Sequence, residues 1–222
     1  MDVLDSYPGH TEPGGAAIRR ELDALSITKI SVGPMDNNAY LLRCRTTGEQ
    51  LLIDAANEPD RLLQLVGADG LARVVTTHRH RDHWQGLAEV AEATGAETVA
   101  GEEDIEGIPV TTQRPVRHGD RITVGGNQLE VIHLVGHTPG SIALLYDDPV
   151  GTPHLFTGDS LFPGGVGNTF GDPEAFATLI DEVSTKVFDR LPDETWFYPG
   201  HGDDSTVGAQ RPHLGEWRKR GF

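Results

Sequence analysis

The chain has 222 residues, 37% of them hydrophobic and 23% charged, which is typical of a globular protein that can bury a large core. Its 18 basic and 34 acidic residues give a formal net charge of −16 at pH 7. This charge argues against a nucleic-acid or anionic-membrane partner, because both need a basic face. Cys44 is the single cysteine, so an intramolecular disulfide is impossible. The N-terminus lacks the features of a signal peptide and no segment has the length of a transmembrane helix, so we expect a cytoplasmic protein.

Residues 1–25 are predicted to form an N-terminal arm, in which Ile18, Leu22 and Leu25 share a face and indicate a short helix. Residues 26–222 are predicted to form one domain. Its first half alternates apolar, β-branched segments with helical patterns. The predicted strands are 27–32, 39–43, 51–53, 72–77 and 98–100, the predicted helices are 59–66 and 84–93, and the stretch through Pro115 is predicted to be a loop.

The second half repeats this scheme. A hairpin is predicted from strands 121–124 and 128–135, followed by strands 142–146, 154–156 and 195–198. A helix should begin at Asp172-Pro173, where Asp can cap and Pro suits the first turn, and the tail after Ser205 should be helical. The pattern favours two sheets packed face to face with helices outside. A doubly wound parallel sheet is the alternative, and the hairpin signals count against it.

Seven residues that can bind metal follow strands or lie in loops of both halves. Their imidazoles and carboxylates suit zinc, iron or manganese. In an extended loop, alternate residues point the same way, so His78, His80 and Asp82 can converge while His83 reaches to one side. Scattered polar loop residues would not produce four such side chains within one six-residue run. The seven are His78, His80, Asp82 and His83 in the run 78–83, His137 in 136–141, Asp159 in 157–160 and His201 in 199–202.

This arrangement resembles the metallo-β-lactamase fold hydrolases over nearly the whole chain. The resemblance implies an α/β fold, a four-layer αββα sandwich of two mixed β-sheets with outer helices. It also implies two divalent transition-metal ions, with zinc expected and iron or manganese as alternatives. One ion would be held by His78, His80 and His137, the other by Asp82, His83 and His201, and Asp159 would bridge the pair.

In such a site a hydroxide shared by two metal ions attacks a carbonyl carbon. Asp82 is the candidate to orient the water or take its proton. Asp54 ends the apolar segment 51–53, resembles a recurrent Asp of the family, and could hydrogen-bond a ligand histidine. A turn-capping role is the alternative for Asp54.

Within the superfamily, segments 136–141, 157–162 and 199–202 resemble the small glyoxalase II-like hydrolases, which cleave thioesters, and imply a small-molecule acyl substrate. Members that bind glutathione tend to have Gly-Cys-Gly-Arg or a similar basic segment after the bridging Asp. Here Asn168 in 164–170 carries no charge, and only 21 residues follow His201, whereas glyoxalase II adds a long helical region. We therefore expect hydrolysis of small thioesters with little preference for glutathione as the carrier thiol. The basic tail residues Arg211, Arg218, Lys219 and Arg220 are expected on a solvated helix face.

Three alternatives remain open. A mononuclear iron dioxygenase acting on persulfides uses the same fold but needs only two His and one Asp. A lactonase or β-lactamase-type activity is compatible with the same seven ligands. A non-catalytic binding module should have lost ligands. Retention of all seven favours a two-metal hydrolase.

Overall fold

A computed structural model describes residues 1–221 of the protein. Eight strands in chain order form the larger sheet, and it is mixed, since β2 to β5 are antiparallel and β5 to β8 are parallel. These strands are β1 Val3–Leu4, β2 Ala17–Glu21, β3 Leu25–Val32, β4 Asn37–Cys44, β5 Gln50–Ile53, β6 Arg73–Thr76, β7 Glu97–Gly101 and β8 Arg114–Val116.

The second sheet has the order β16-β15-β12-β11-β10-β9 and is also mixed, since β12 and β15 are parallel while the other neighbours are antiparallel. A small hairpin of β13 and β14 follows β12. The strands are β9 Arg121–Val124, β10 Asn127–His133, β11 Ile142–Tyr146, β12 His154–Gly158, β13 Leu161–Phe162, β14 Gly165–Val166, β15 Trp196–Pro199 and β16 Ser205–Thr206.

Helices cover the outer faces of both sheets. The helices are α1 Pro59–Val66, α2 Leu87–Thr94, α3 Pro173–Val183, α4 Val207–Gln210 and α5 Leu214–Arg220. One apolar cluster lies between the sheets and joins residues such as Ile27 and Val131. A second packs α1 and α2 on the larger sheet, and a third packs α3 and α5 on the smaller sheet. The predicted four-layer αββα sandwich is confirmed.

The predicted helix in the N-terminal arm is wrong. Ala17–Glu21 is strand β2 and pairs antiparallel with β3, with Ile18 opposite Lys29. The apolar spacing of Ile18, Leu22 and Leu25 arises instead from a strand, a tight turn in which the Leu22 amide donates to the Leu25 carbonyl (2.8 Å), and the next strand. Leu25 and Ile18 are buried in this arrangement, so a sheet satisfies the pattern as well as a helix would.

Two other boundaries differ from the prediction. The stretch predicted to be a loop contains the 3₁₀ turn Glu102–Gly107 and strand β8. Helix α2 begins at Leu87 rather than Trp84, because a 3₁₀ turn over Arg81–His83 precedes it and the Trp84 indole N–H donates to the Arg79 carbonyl (2.8 Å). These turns leave residues 78–83 outside regular helix.

The predicted hairpin and helix start are confirmed. Strands β9 and β10 close on the pair Val124 and Asn127, and Gly125 has a φ of 57°, which glycine adopts without strain. The Asp172 carboxylate accepts from the amides of Glu174 (2.9 Å) and Ala175 (3.1 Å), so it caps α3. Within residues 1–221, no helix combines the length and apolar character needed to cross a bilayer.

Candidate metal centre

The structure gathers all seven predicted residues at one edge of the sandwich. Residues 78–83 follow β6, His137 lies between β10 and β11, Asp159 follows β12, and His201 follows β15. Strand ends of both sheets therefore supply donors to one place. Three groups of donor atoms lie within 4.8 Å of one another, namely His78, His80 and His137; His78, His83 and Asp159; and Asp82, His83 and His201.

Three imidazoles form the first cluster. His137 Nε2 lies 2.9 Å from His80 Nδ1 and 3.2 Å from His78 Nε2. His78 is buried, while His80 is partly exposed. All three nitrogens face a common centre from which solvent can approach on the side of His80.

The second cluster combines two imidazoles with a carboxylate. His83 Nε2 lies 3.3 Å from His201 Nε2, and Asp82 Oδ2 lies 3.2 Å from His201 Nε2 and 3.6 Å from His83 Nε2. The expected convergence of Asp82 with His78 and His80 is wrong in detail, since the donor groups place Asp82 with His83 and His201. The 3₁₀ turn Arg81–His83 breaks the extended alternation on which that expectation depended.

Asp159 lies between the two clusters. Its Oδ2 is 3.6 Å from His137 Nε2 and 3.4 Å from His201 Nε2, and its Oδ1 is 3.4 Å from His83 Nε2. Although Oδ1 is buried, it has no hydrogen-bond partner among residues 1–221. A buried carboxylate oxygen without a donor is costly, and a cation would satisfy it.

The donor spacing fits metal ions. Ligand atoms bound tetrahedrally at about 2.0–2.1 Å from a zinc ion lie about 3.3–3.4 Å apart. The distances from His137 to His78 (3.2 Å), from His83 to His201 (3.3 Å) and from His83 to Asp159 (3.4 Å) all match this spacing. The residues present could therefore hold two cations that share Asp159.

The other ring nitrogen of four histidines is directed at an acceptor. His83 Nδ1 donates to Asp54 Oδ2 (2.8 Å), and His78 Nδ1 donates to Thr77 Oγ1 (3.1 Å). His137 Nδ1 donates to the Asn168 carbonyl (2.8 Å), and His201 Nδ1 donates to the Met35 carbonyl (2.8 Å). These bonds fix the tautomer that leaves each Nε2 free to bind metal.

Asp54 makes the predicted hydrogen bond to a histidine of the centre and also orders the loop. Its Oδ1 accepts from the Thr77 amide (2.7 Å) and its Oδ2 accepts from the Thr77 hydroxyl (2.8 Å). Asp54 is buried and has a φ of 58°, a left-handed conformation that Asp tolerates better than most residues. One carboxylate thus positions both His78, through Thr77, and His83.

Asp104 supports the first cluster and was not predicted. Its Oδ2 accepts from the Thr138 hydroxyl (2.5 Å) and the Arg79 amide (3.0 Å), and its Oδ1 accepts from the Gly140 amide (2.9 Å). The fully buried carboxylate therefore ties the loop of His78 and His80 to the loop of His137. No signal in the local sequence points to it, because Asp104 lies in an acidic stretch that is ordinary for a surface turn.

Asn37 was also not predicted, since it lies between the predicted strands 27–32 and 39–43. Its Nδ2 donates to the Asp82 carbonyl (3.0 Å) and to Asp82 Oδ2 (3.0 Å), so it fixes the side chain that faces His201. Gly200 shows how tightly the centre is packed, because a Cβ there would lie 2.2 Å from Asp159 Oδ1. A side chain at position 200 is therefore incompatible with the position of Asp159.

Two aromatic residues border the centre. Phe170 is 70% exposed and has a φ of 57°, yet its ring centroid lies 5.6 Å from that of His80 and 6.0 Å from that of His137. The Phe162 ring lies 6.4 Å from that of His201. Phe170 therefore presents an apolar ring to solvent beside two donors and does not pack in the core.

Charge is distributed unequally between the clusters. Burial lowers the pKa of His78, His80 and His137, so these imidazoles are neutral. Burial also disfavours charge on His83 and His201, but contacts with Asp159 outweigh it, raising the pKa of both and that of His201 to about 10. The hydrogen bond with His201 lowers the pKa of Asp82. In the metal-free protein, contact with Asp159 therefore favours the protonated form of His83 and of His201.

Asp104→Asn is expected to weaken metal binding at the first cluster. Three donors converge on the two carboxylate oxygens of Asp104. The amide side chain of Asn would point its own N–H group at one or more of these donors and so lose those hydrogen bonds. We expect a loss of about 1–3 kcal/mol in the free energy of unfolding of the metal-free protein and about 10- to 100-fold in affinity for one ion. Urea denaturation and competition with a chromophoric chelator measure these. Unchanged affinity for both ions would contradict the assignment.

Metal affinity is expected to rise with pH. The pKa of His201 in the metal-free protein is about 10, so below that pH an ion must displace a proton. Raising the pH from 6 to 8 should strengthen binding of one ion by about tenfold per unit for each proton released. Chelator competition at several pH values measures the slope, and His201→Ala is the control in which the slope should fall by the contribution of the His201 proton. A flat profile in the wild-type protein would show that no proton is displaced.

Comparison with known proteins gives consistent matches. Residues 32–201 match the Metallo-beta-lactamase superfamily. A hydroxyacylglutathione hydrolase from a Polaromonas species is 38% identical over 171 residues, which cover 74% of this chain and 62% of that relative. The chain thus spans less than two thirds of that relative's length.

Solved structures agree with this assignment. ETHE1 from Myxococcus xanthus has a TM-score of 0.76 and 29% identity, and the match covers 87% of this chain and 84% of that one. TTHA1623, solved in a di-iron-bound form, has a TM-score of 0.69 and 31% identity, with 82% of this chain and 96% of that one covered. By its sequence match, its four-layer fold and its histidine- and aspartate-rich centre, the chain belongs to the metallo-β-lactamase superfamily.

Proposed function

We propose that the protein is a dinuclear metal-dependent hydrolase that cleaves an acyl bond, specifically a thioester. The observation that carries this proposal is the presence of two adjacent donor clusters that share Asp159. Similarity to a hydroxyacylglutathione hydrolase supports the substrate class. Zinc is the proposed metal because imidazole and carboxylate donors suit it, and the di-iron form of TTHA1623 keeps iron as the alternative.

When bound, two divalent ions would supply an activated water near neutral pH and polarise the acyl carbonyl. The residues of the chain then act by position. Asn37 and His201 hold Asp82 Oδ2, and the half-buried carboxylate keeps Oδ1 for the proton that the water gives up. Because the hydrogen bond with His201 lowers the pKa of Asp82, this carboxylate is ionised and ready to orient the water.

Two grooves can take the substrate: the first lies beside the glycine-rich segment that follows Asp159, and the second contains a donor of the centre. One, of about 350 Å³, is lined by Phe162, Val166, Trp217 and Arg220 among others. The second, also of about 350 Å³, contains Met35, Arg81 and the donor Asp82. The first groove is mainly apolar and joins the glycine-rich segment to the C-terminal tail, so it suits an uncharged acyl or thiol arm.

Arg220, in the C-terminal helix α5, contacts the glycine-rich segment. It is exposed, as expected of a solvated helix face, and its Nη2 also donates to the Gly164 carbonyl (3.0 Å) at the apolar groove. This bond engages the guanidinium with the backbone, so we propose that Arg220 shapes the groove and gives little selectivity for an anionic carrier.

The persulfide dioxygenase is the second candidate. His78, His83 and Asp159 form a group of two imidazoles and one carboxylate, the ligand set of many mononuclear iron oxygenases. This group uses only three of the seven donors. The dinuclear hydrolase accounts for all of them and is preferred.

Metal content distinguishes the dinuclear hydrolase from the dioxygenase. The purified protein is expected to contain close to two transition-metal ions per chain, and strong chelators should remove both metal and thioesterase activity. Elemental analysis and anomalous scattering measure content and position. A single fully occupied iron, with His201 uninvolved and persulfide consumed with oxygen, would overturn the dinuclear proposal.

Asp82→Ala is expected to abolish turnover while the fold is retained, because Asp82 lies in a loop outside the three apolar clusters. His80→Ala should do the same by removing a donor. Loss of metal could lower the melting temperature by mass action, so circular dichroism and thermal unfolding are compared in the metal-free state. Near wild-type kcat for Asp82→Ala at saturating metal would exclude its role as ligand and proton acceptor.

The substrate prediction concerns the carrier thiol. We expect S-lactoylglutathione and a truncated thioester with the same acyl group to have similar kcat/KM, and Arg220→Gln to alter both alike. A hundredfold preference for the glutathione ester, equivalent to about 2.7 kcal/mol of transition-state stabilisation, would demonstrate a glutathione pocket. If Arg220→Gln then removed that preference, the guanidinium would be its source.

A further inference from the structure

A buried ion pair lies behind the loop that carries His201. The side chains of Lys29 in β3 and Asp204 in the loop between β15 and β16 are both fully buried, and Lys29 Nζ lies 2.8 Å from Asp204 Oδ1. Lys29 Nζ also donates to the carbonyls of Gly202 (2.7 Å) and Gly9 (3.0 Å). The ammonium group thus uses its three protons on three different acceptors, two of which closely follow His201 in sequence.

The carboxylate of Asp204 is equally well satisfied. The Tyr7 hydroxyl donates to Oδ2 (2.7 Å) and the Tyr40 hydroxyl lies within 3.3 Å of Oδ1. The Asp204 amide also donates to the Gly9 carbonyl (3.0 Å). The N-terminal segment around residues 7–9 is therefore bound to the same carboxylate and the same ammonium group.

Further side chains hold the backbone on both sides of His201. The Tyr40 hydroxyl (2.7 Å) and Asn38 Nδ2 (2.9 Å) donate to the Pro199 carbonyl. Asn38 Nδ2 (2.9 Å) also donates to the Gly202 carbonyl, which Lys29 shares. The backbone of residues 199–202 is consequently pinned at both ends, and the imidazole of His201 projects from it toward Asp82 and Asp159.

We propose that Lys29 and Asp204 are positioning residues for His201, and that they set the affinity of the second metal cluster without affecting the first. The proposal rests on the two-metal function above. Two apolar side chains of similar volume often replace a buried ion pair without loss of stability, so stability alone does not require charge here. An apolar pair could not donate hydrogen bonds to the Gly202 and Gly9 carbonyls. These hydrogen bonds are the contacts that hold the loop of His201.

The effect should be confined to one cluster because the two clusters have separate supports. Asp104 ties the loops of His78, His80 and His137 through Thr138, Gly140 and Arg79. Lys29 and Asp204 instead contact Gly9 and Gly202. A general loss of stability would weaken the binding of both ions, whereas a loss of positioning of His201 would weaken the binding of one ion.

The test is a double variant, Lys29→Met with Asp204→Leu, which removes both charges together. We expect a folded protein that binds one zinc ion with wild-type affinity and the other about 10- to 100-fold more weakly, as measured by chelator competition. In the metal-free protein, hydrogen exchange should accelerate at residues 200–204 and stay unchanged at residues 136–141. Wild-type affinity for both ions together with unchanged exchange would overturn the proposal, as would equal weakening of both ions.

A milder pair of variants covers the case in which the double variant does not fold. Tyr7→Phe removes one hydrogen bond to Asp204, and Tyr146→Phe removes the same group from a core tyrosine whose buried hydroxyl has no partner among residues 1–221. Only Tyr7→Phe should weaken the second ion and accelerate exchange at residues 200–204, and equal behaviour of the two would overturn the proposal. If the wild-type protein binds a single ion, the dinuclear function fails, while the exchange measurement still decides whether Lys29 and Asp204 order the loop.

Discussion

Imidazole nitrogens about 3 Å apart in a buried or partly buried site are unfavourable unless a proton or a cation lies between them, and this constraint governs the rest of the structure. His80 Nδ1 and His137 Nε2 are 2.9 Å apart, and His83 Nε2 and His201 Nε2 are 3.3 Å apart. The protein must hold these groups together before any ion arrives. It does so with contacts on the far side of four of the rings, those of His78, His83, His137 and His201, where Asp54, Thr77 and backbone carbonyls accept the Nδ1–H proton.

The sandwich makes this arrangement possible because strands of both sheets end at one edge. Residues 78–83 come from the larger sheet, while His137, Asp159 and His201 come from the smaller one. Apolar packing between the sheets fixes their separation, so the loops meet at a defined distance. Buried carboxylates then fix the loops locally. Asp54 and Asp104 accept hydrogen bonds from the start of the segment 77–83, and Asp204 pairs with Lys29 close to His201.

Much of the fold followed from local patterns in the sequence. The cap at Asp172, the Gly125 turn and the dense run 78–83 are local features, and each appears in the structure where it was predicted. The helix predicted around Ile18 failed because a spacing of three and four residues also fits a strand, a turn and a second strand. Pairing with β3, a contact formed outside the segment, decided between them.

The supports of the site could not be predicted because their partners are distant in sequence. Lys29 and Asp204 are 175 residues apart, and Asp104 and Thr138 are 34 residues apart. Each residue type is ordinary in its own segment, and only the folded chain reveals that it is buried and fully hydrogen-bonded. Phe170 escaped prediction for the opposite reason, since an aromatic residue is expected in a core and this one is exposed beside the donors.

The separate supports have a consequence for how such a centre can change over evolutionary time. Asp104 holds loops on one side and Asp204 holds a loop on the other, with no hydrogen-bond acceptor in common among the contacts described above. Under the two-metal function proposed above, a substitution near one support would therefore change the binding of one ion while its neighbour keeps its geometry. A lineage carrying this scaffold would then move stepwise between one-ion and two-ion chemistry without passing through an intermediate that has lost both.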